Sequence, residues 1–458
     1  MTHTRSTDGI MHLSRIVLAL AAAAALAFVQ GVRTSADQAP PVNVPGIDKP
    51  VIVVSGDVGA NETWTSANYY VLRGAVFVRS GSTLNIQAGT RIVGESGSVG
   101  TLIVERGGRL NAIGTADAPV VFTSDQPIGQ RGRGDWGGLI INGRAPINFG
   151  SGEAAGEGDT GVYGGTDPND NSGILRYVRV EFAGIEFSPD NELNGIAFQA
   201  VGRGTQVDHV QSHLSRDDAM EWFGGTVDGK YLVMSGAADD GLDWTFGWGG
   251  RVQFAAILQR GDDADNAIEA DNNEFNNNVL PRSNPQIYNV TVCGDPAGIG
   301  SEVQRAANLR RGTAFTIRNF LITGMRQGFQ IETTNTATTS QVDNGTSQMG
   351  AGVSWNNLNA AGVVTAGQAM HSSVTTYITS GRFPNIRLNE AAGLSAAACN
   401  ASNLNPSLQP PLASLAGGQL TPIQPPNDGF FDAVTFIGAV PPAPAANWMD
   451  GWTAFPQN

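Results

Sequence analysis

Short apolar runs that end at glycine, asparagine or aspartate recur along the chain from about residue 51. Val76–Val78 leads to Gly81 and then to Leu84–Ile86, and the same order returns 26 residues later, where Leu102–Val104 leads to Gly107. Runs this short and this rich in β-branched residues are typical of strands, and the glycines between them are typical of turns. The pattern therefore predicts an all-β protein built from many short strands.

A five-residue frame of polar, small, apolar, variable and apolar positions repeats through the middle of the chain. It occurs at Asn194–Phe198, Asp218–Trp222, Asp240–Trp244, Asn266–Ala270 and Gln327–Ile331, with first steps of 22 to 26 residues and a longer last one. A step of this length that holds two or three short strands is one turn of a parallel β-solenoid. An antiparallel sandwich does not predict similar residues at a constant step, so the solenoid is the favoured architecture.

Alternation within the frame separates the side chains that face the interior from those that face outward. Met220 and Trp222 share one side of their strand and are expected to fill the interior, whereas Glu221 points to the other side. Trp222 and Trp244 are therefore expected in the core rather than on a surface that stacks on sugars.

Stacking of successive frames places carboxylates in two columns along the solenoid. The outward column consists of Glu221, Asp243 and Glu269, and the column at the turn of Asp218, Asp240 and Asn266. The outward column is expected to face solvent. Like charges at the strand spacing of about 4.8 Å repel each other by roughly 1–3 kcal/mol per pair, so the columns need neutralisation.

Calcium fits this arrangement, because two Ca²⁺–oxygen distances of about 2.3–2.6 Å span one turn of the solenoid. The expected ligands are Asp218, Glu221, Asp240, Asp243 and Glu269. The alternative is that the acids extend into water or are neutralised by the neighbouring arginines, which are Arg216, Arg251 and Arg260.

Several segments carry a resemblance to a known family. They are GDWGGLIINGRAPIN (134–148), LRYVRVEFAGIEF (175–187), DDAMEWFGGTVDGKYLV (217–233) and the two C-terminal stretches 429–440 and 447–455. The chain resembles a right-handed parallel β-helix of the pectin-lyase-like superfamily over roughly residues 51–335. More narrowly, it is similar to bacterial secreted or envelope β-helix proteins of poorly defined function. The resemblance implies the fold and export, and it implies no particular reaction.

The beginning of the chain has the features of an export signal, predicted over residues 1–36. Arg15 precedes an apolar run from Ile16 to Val29, and Thr34–Ala36 supplies small residues for cleavage. The run of 14 residues is short for a membrane span, so no transmembrane segment is expected after cleavage. The mature protein is then expected in the periplasm, on the cell surface or outside the cell.

The remainder divides into four parts. Residues 37–50 are predicted to be a linker, 51–335 the β-helix, 336–428 irregular excursions packed on its side, and 429–458 a cap over the open final turn. Within the excursions a short helix is expected around Leu388 to Ala398.

Charge and cysteine content narrow the classes of partner. The chain of 458 residues has a net charge of −14, which becomes −16 when residues 1–36 remove three basic and one acidic side chain. Such a surface repels nucleic acid and attracts divalent cations. Cys293 and Cys399 are the only cysteines, and an exported chain is expected to join them in a disulfide.

Two motif matches point to chemistry that the rest of the sequence does not support. The glycines of 132–137 fit a dinucleotide-binding pattern, but strand and turn residues follow them instead of a helix, so no nucleotide cofactor is expected. His209 and His213 lie four residues apart, which places two ligands on one face of a helix but not of a strand.

Carboxylates on neighbouring turns also approach the separations used by glycoside hydrolases, about 5–5.5 Å or 6.5–9.5 Å. The catalytic candidates are Glu221, Asp243, Glu269 and Arg260. The motif set of polygalacturonase-like members is incomplete, because His213 precedes the Asp pairs and no Arg-x-Lys follows. The sequence therefore favours non-catalytic binding of a glycan or another envelope component. A calcium-assisted polysaccharide lyase or glycoside hydrolase, and a structural protein with a protein partner in the outer envelope, are the alternatives.

Overall fold

The computed structural model describes residues 48–188, 191–295, 304–355, 370–388, 420–441 and 445–456. Strands dominate these ranges, and one large sheet with parallel pairing winds through them. The chain is a right-handed parallel β-helix, which confirms the predicted fold class. The predicted export signal, nearly all of the predicted linker, Cys399 and the predicted helix after Leu388 lie outside the described residues.

Each turn of the β-helix contributes strands to three faces. Face 1 begins with the second half of Tyr69–Val78 and continues with Thr101–Val104, Gly138–Asn142, Ile196–Gln199, Met220–Phe223, Leu242–Thr245, Ile268–Ala270, Arg305–Leu309 and Gln327–Ile331. Face 2 begins with Asn61–Trp64, Thr83–Ile86 and Arg109–Ile113. Face 3 begins with most of Val51–Asp57, the first half of Tyr69–Val78, Arg91–Gly94 and Val120–Ser124.

From residue 173 onward, single bent strands supply both face 2 and face 3. These strands are Gly173–Glu181, Gln206–His213, Asp228–Ser235, Arg251–Leu258, Gln286–Cys293, Thr316–Thr323 and Gln348–Trp355. Two antiparallel hairpins leave the β-helix, one formed by Glu153–Ala155 and Val162–Gly164, the other by Ile185–Ser188 and Asn191–Leu193. Short 3₁₀ helices lie at Ser96–Ser98 and Glu157–Asp159.

Aromatic side chains fill the interior where the predicted frame repeats. Trp222 stacks on Phe198 at 5.2 Å and on Trp248 at 4.8 Å between ring centroids, and Trp244 lies 5.8 Å from Trp248. All four are buried, which confirms the core position expected for Trp222 and Trp244.

The parallel sheet extends beyond residue 335, into the segment predicted to be irregular. Gln348–Trp355 pairs with Thr316–Thr323, and the short strand Ile386–Leu388 pairs with Gln348–Trp355 in turn. Sequence periodicity did not indicate this turn, because glycines occupy alternate positions in the middle of Gln348–Trp355 and the step from the preceding strand is long.

Two α-helices follow the last strand of face 1. They are Thr336–Asp343 and Ser372–Thr379. Met370 and Val374 join the interior cluster of the β-helix, and the backbone nitrogen of His371 donates to the carbonyl of Phe329 at 3.1 Å. Residues around Ser372–Thr379 therefore cover the apolar end of the last turns, the role that the sequence assigned to residues 429–458.

The boundary between faces 2 and 3 is a column of left-handed residues. Positive φ angles occur at Tyr177, His209, Tyr231, Phe254, Asn289, Asn319 and Ala351, one on each bent strand. On the outside, Tyr177 and His209 stack at 4.3 Å, His209 and Tyr231 at 4.3 Å, and Tyr231 and Phe254 at 5.0 Å. Asn289 and Asn319 continue the column, with an amide–amide hydrogen bond of 3.4 Å. Stacking from Tyr177 to Phe254, and the hydrogen bond between Asn289 and Asn319, offset part of the strain of the bend.

The C-terminal residues pack along this column on the side of the β-helix. Trp452 contacts Tyr177 and His209, and Trp448 contacts Tyr231. Arg179 donates to the carbonyl of Trp452 at 3.0 Å. The aromatic residues that suggested an end cap therefore cover an aromatic ladder on the side, where they remove its exposed apolar area from water.

Asn289 provides a test of the left-handed bend. Its side-chain amide donates to the carbonyls of Phe436 and Gly438 at 3.0 and 3.1 Å, and its φ angle is 58°. Ala and Gly both remove these hydrogen bonds, but only Ala is strained at positive φ. We expect Asn289→Ala to lower the free energy of unfolding by about 1 kcal/mol more than Asn289→Gly, measured in urea. Equal losses in the two variants would contradict the strain at this bend.

Candidate metal centre

The strand register brings the predicted carboxylates together on face 1. Glu221 lies opposite Asp243, and Asp243 lies opposite Glu269. Ala197 precedes this column and Asn308 follows it, so the charge is confined to three consecutive turns. The stacked column expected from the frame is present.

The turn before these strands carries the second column, and its carboxylates also contact the backbone. Asp218 accepts a hydrogen bond from the backbone nitrogen of Asp240 at 2.9 Å, and Asp240 accepts one from that of Asn266 at 2.5 Å. These bonds fix the acids between successive turns, so that each lies beside the next turn's carboxylates.

Four overlapping groups of three carboxylates have oxygens within 4.8 Å of one another. The groups are Asp217/Asp218/Asp239, Asp218/Glu221/Asp243, Asp239/Asp240/Asp265 and Asp240/Asp243/Glu269. All five predicted ligands belong to these groups, and we call the eight residues together the acidic cluster. Asp217, Asp239 and Asp265 were not among the predicted ligands, although each lies in an Asp pair or one residue before Asn266.

Most of the cluster is buried or half-buried and only Asp239 is exposed, whereas the sequence predicted a solvent-facing column. Asp218, Glu221 and Asp240 are 5%, 9% and 3% exposed. Their side chains point away from the interior, as expected, but the two hairpins cover them and add Glu157 and Glu192 to the same electrostatic environment. Sequence alternation identifies which side of a strand a residue faces, and it does not show what packs on that side.

Burial changes the titration of these acids. Removal from water raises the pKa values of Asp218, Glu221, Asp240 and Glu269 well above the usual range, and neighbouring carboxylates raise them further. Burial likewise raises the pKa of Asp243 to about 7. Near neutral pH the cluster therefore retains protons unless positive charge enters it.

The positive charge that reaches the cluster comes from Arg310 and Arg305, which the sequence reasoning missed. Arg310 forms ion pairs with Glu269 and, at 2.9 Å, with Asp271. Arg305 lies 3.8 Å from Asp265, and Arg311 lies 2.7 Å from Asp271.

The arginines that were expected to neutralise the column have other partners. Arg216 pairs with Glu186 at 3.3 Å and with Asp263 at 3.6 Å. Arg260, which was also a catalytic candidate, forms an ion pair with Asp262 at 3.0 Å, and Asp262 lies outside the cluster. Arg251 pairs with Asp228, and with Asp428 at 2.7 Å. Neutralisation by these three arginines is therefore wrong.

An unpartnered amide oxygen lies beside the cluster. The Asn194 side chain is fully buried, and its Nδ2 donates to Oε2 of Glu221 at 2.7 Å. Within the described residues, no donor reaches its Oδ1. A buried oxygen without a partner costs about 1–3 kcal/mol, and an amide oxygen is a ligand that Ca²⁺ accepts.

The two histidines lie away from the acidic cluster. The His209 ring stacks between tyrosines and pairs with Asp208. His213 contacts Ser235 Oγ at 2.9 Å and the carbonyl of Pro456 at 2.7 Å, and burial lowers its pKa to about 4. Both therefore serve the packing of the C-terminal residues.

Cys293 is buried at the end of the strand Gln286–Cys293. Its predicted partner Cys399 lies outside the described residues, so the Cys293–Cys399 disulfide stays a prediction.

A model of the pectate-lyase-like β-helix domain matches residues 56–391. The match covers more than half of the chain, so the protein belongs to this family of β-helix proteins. No curated protein and no solved structure gives a match. In the part of the chain that the structure describes, no helix is long and apolar enough to cross a membrane.

Proposed function

We propose that this protein is a calcium-binding β-helix, in which Ca²⁺ joins consecutive turns through the acidic cluster. The observation that carries the proposal is the set of carboxylates from three turns, most of them buried or half-buried, which form groups of three with oxygens within 4.8 Å of one another beside the unpartnered Oδ1 of Asn194. Burying acids that outnumber the neighbouring arginines is costly, and a divalent cation converts that cost into binding energy.

The donor set favours calcium over other metals. Carboxylate and amide oxygens are ligands of hard cations, and Ca²⁺ accepts six to eight of them in flexible geometry at about 2.3–2.6 Å. The groups capable of holding a metal in the described residues contain neither histidine nor cysteine, the ligands that favour zinc. Mg²⁺ demands a more regular octahedron, which overlapping groups on a rigid sheet do not supply.

The role of the cation is structural in this proposal. The hairpins cover the carboxylates, so a small ion reaches them more readily than a polysaccharide chain does. Raised carboxyl pKa values also suit a general acid, which supports the calcium-assisted lyase or hydrolase as the second candidate. On the basis of its N-terminal sequence, we place the protein outside the cytoplasm, in a compartment where millimolar calcium is common. We assign it non-catalytic binding of a glycan or another envelope component.

Thermal unfolding with and without calcium tests the proposal. Protein loaded with Ca²⁺ is expected to unfold at a higher temperature than protein in chelator, because a ligand at 100 times its Kd stabilises the folded state by about 2.7 kcal/mol. Mg²⁺ at the same concentration is expected to give a smaller increase. Equal midpoints in calcium and in chelator would overturn the proposal.

Matched variants localise the effect. The double variant Glu221→Gln, Asp243→Asn is expected to abolish the calcium-dependent rise at the two groups that face 1 contributes to, because it removes a charged ligand from Asp218/Glu221/Asp243 and from Asp240/Asp243/Glu269. Asp450→Asn, which removes one carboxylate at an exposed position, is expected to retain the rise. A rise that survives in the double variant would place the calcium site outside the two groups that contain Glu221 or Asp243.

A further inference from the structure

A cleft lies on the outside of face 3, over the first turns of the β-helix. Its floor is an outward column in which Tyr69, Arg91, Val121 and Arg179 lie opposite one another on successive strands. The cavity has a volume of about 620 Å³, within the range of about 300–1,000 Å³ that is typical of small-molecule sites. It shares no residue with the acidic cluster.

Two arginines of the cleft lack carboxylate partners. Arg91 hydrogen-bonds to the Tyr69 side chain, and the Nε of Arg131 donates to the carbonyl of Gln126 at 3.0 Å. In the described ranges, no carboxylate oxygen lies within 4.0 Å of either guanidinium group, in contrast to Arg179, which pairs with Glu181 at 2.9 Å.

The rim of the cleft offers hydrogen-bonding groups and an apolar wall. Asp48, Asp117 and Asp125 line the rim, and Asp125 accepts from Nε2 of Gln126 at 2.9 Å. Ile128 is 83% exposed beside Pro127. Carboxylates of the cleft accept hydrogen bonds from hydroxyl groups, while its two arginines select an oxyanion.

We propose that this cleft binds a small hydroxylated organic anion, a sugar acid or a sugar phosphate. Arg91 and Arg131 hold its carboxylate or phosphate, because a guanidinium matches either group with two parallel hydrogen bonds. The rim carboxylates accept hydrogen bonds from the hydroxyl groups of the ligand, and the Gln126 amide donates to them or accepts from them. Ile128 covers one side of the sugar ring. The shared requirement is one oxyanion together with several hydroxyls.

Isothermal titration of the whole protein with three probes tests the proposal. The probes are glucuronate, glucose 6-phosphate and glucose, which have the same ring and differ in the anionic group. We expect glucuronate, glucose 6-phosphate or both to bind with a Kd of about 1 mM or tighter, and glucose to bind at least about tenfold more weakly. Preference between the two anions distinguishes a carboxylate ligand from a phosphate ligand. Absence of binding by both anions, or equal binding of glucose, overturns the proposal.

Variants identify the cleft as the binding site. Arg91→Gln and Arg131→Gln are each expected to weaken binding of the charged probe about tenfold or more, which is the loss of one charge-assisted hydrogen-bond pair. Arg109→Gln is the matched control, because Arg109 is exposed on face 2 and does not line the cleft. Arg131→Gln keeps the test valid if loss of the Tyr69 contact makes Arg91→Gln unstable. An equal loss in Arg109→Gln places the binding elsewhere.

Discussion

In chelator, the free energy of unfolding falls as the pH rises from about 6.5 to about 8. The folded chain retains protons on acids whose pKa values burial raises, to about 7 for Asp243 and to about 8 for Glu157, whereas the unfolded chain has released them near pH 4. Stability from a raised carboxyl pKa is complete below the unfolded value and is lost as the pH passes the folded value. Each retained proton contributes a slope of about 1.4 kcal/mol per pH unit, so several acids together produce a loss of several kcal/mol.

His213 sets the lower limit of this pH window. Burial lowers its pKa to about 4, so the neutral ring contributes stability that increases with pH up to the ordinary value near 6.5. That rise opposes the loss from the acids below pH 6.5 and is complete above it. Arginine pairing lowers the pKa values of Glu95, Asp263 and Asp428, whose contributions change only in more acidic solution.

Urea unfolding at a series of pH values in chelator measures the effect. Asp243→Asn is expected to reduce the fall, because the amide cannot lose a proton, and to make the metal-free protein more stable than wild type at about pH 8. Asp450→Asn, exposed and outside the cluster, is expected to follow the wild-type curve. Stability that stays level or increases from pH 6.5 to 8 in chelator would contradict the buried, protonated cluster.

Calcium is expected to remove or reverse this dependence. The ion binds the ionised carboxylates, so binding strengthens as the cluster loses its protons. The metal-free curve does not depend on the proposed calcium site, since it follows from burial alone. If the free energy of unfolding is independent of pH in calcium but falls with pH in chelator, both the burial of the acids and the binding of calcium are supported. A fall in both conditions supports burial of the acids without calcium binding.

The alignment of the cluster could be predicted from the sequence because a β-helix converts a constant step into a column. Glu221, Asp243 and Glu269 occupy the same position of the frame, and the strand register places them opposite one another. The same reasoning placed Trp222 and Trp244 in the interior. Both predictions depend only on periodicity within a strand and between turns.

What covers the column could not be predicted, because the covering segments do not repeat. The hairpins of residues 153–164 and 185–193 leave the β-helix between turns, and their return to face 1 is a tertiary contact. The C-terminal residues are a second example: their aromatic side chains suggested an apolar contact, but not that the contact was the ladder of Tyr177, His209 and Tyr231.

Arg310 was missed for a reason that the sequence itself contains. Arg305–Leu309 fits the frame, with Arg305 at its polar position, but it begins 39 residues after Asn266, and alanine occupies an apolar position. A search that allowed one long insertion between turns would have found this strand. Asn308 of this strand lies opposite Glu269, and Arg310 follows the strand directly, so the same search would have placed Arg310 near Glu269.

Arg310 is expected to be the residue on which the stability of the metal-free cluster depends most. Its partners Glu269 and Asp271 have side chains that are 12% and 8% exposed; Asp271 keeps its pair with Arg311 at 2.7 Å, so loss of Arg310 leaves the poorly solvated Glu269 without its counter-charge. Breaking such a pair from one side costs about 3–5 kcal/mol. We expect Arg310→Met to lower the free energy of unfolding in chelator by about this amount at about pH 8, measured in urea.

A second substitution that also removes the charge of Glu269 tests whether the lost interaction is the Arg310–Glu269 ion pair. Arg310→Met combined with Glu269→Gln is expected to recover part of the loss, because the amide no longer carries a buried charge beside Asp243. Calcium is expected to reduce the loss in the single variant, since the cation supplies the missing positive charge. Arg109→Met, at an exposed position on face 2, is expected to change stability by less than about 0.5 kcal/mol. If Arg310→Met proves no more harmful than Arg109→Met, the ion pair does not stabilise the cluster, and the charge there is neutralised by retained protons alone.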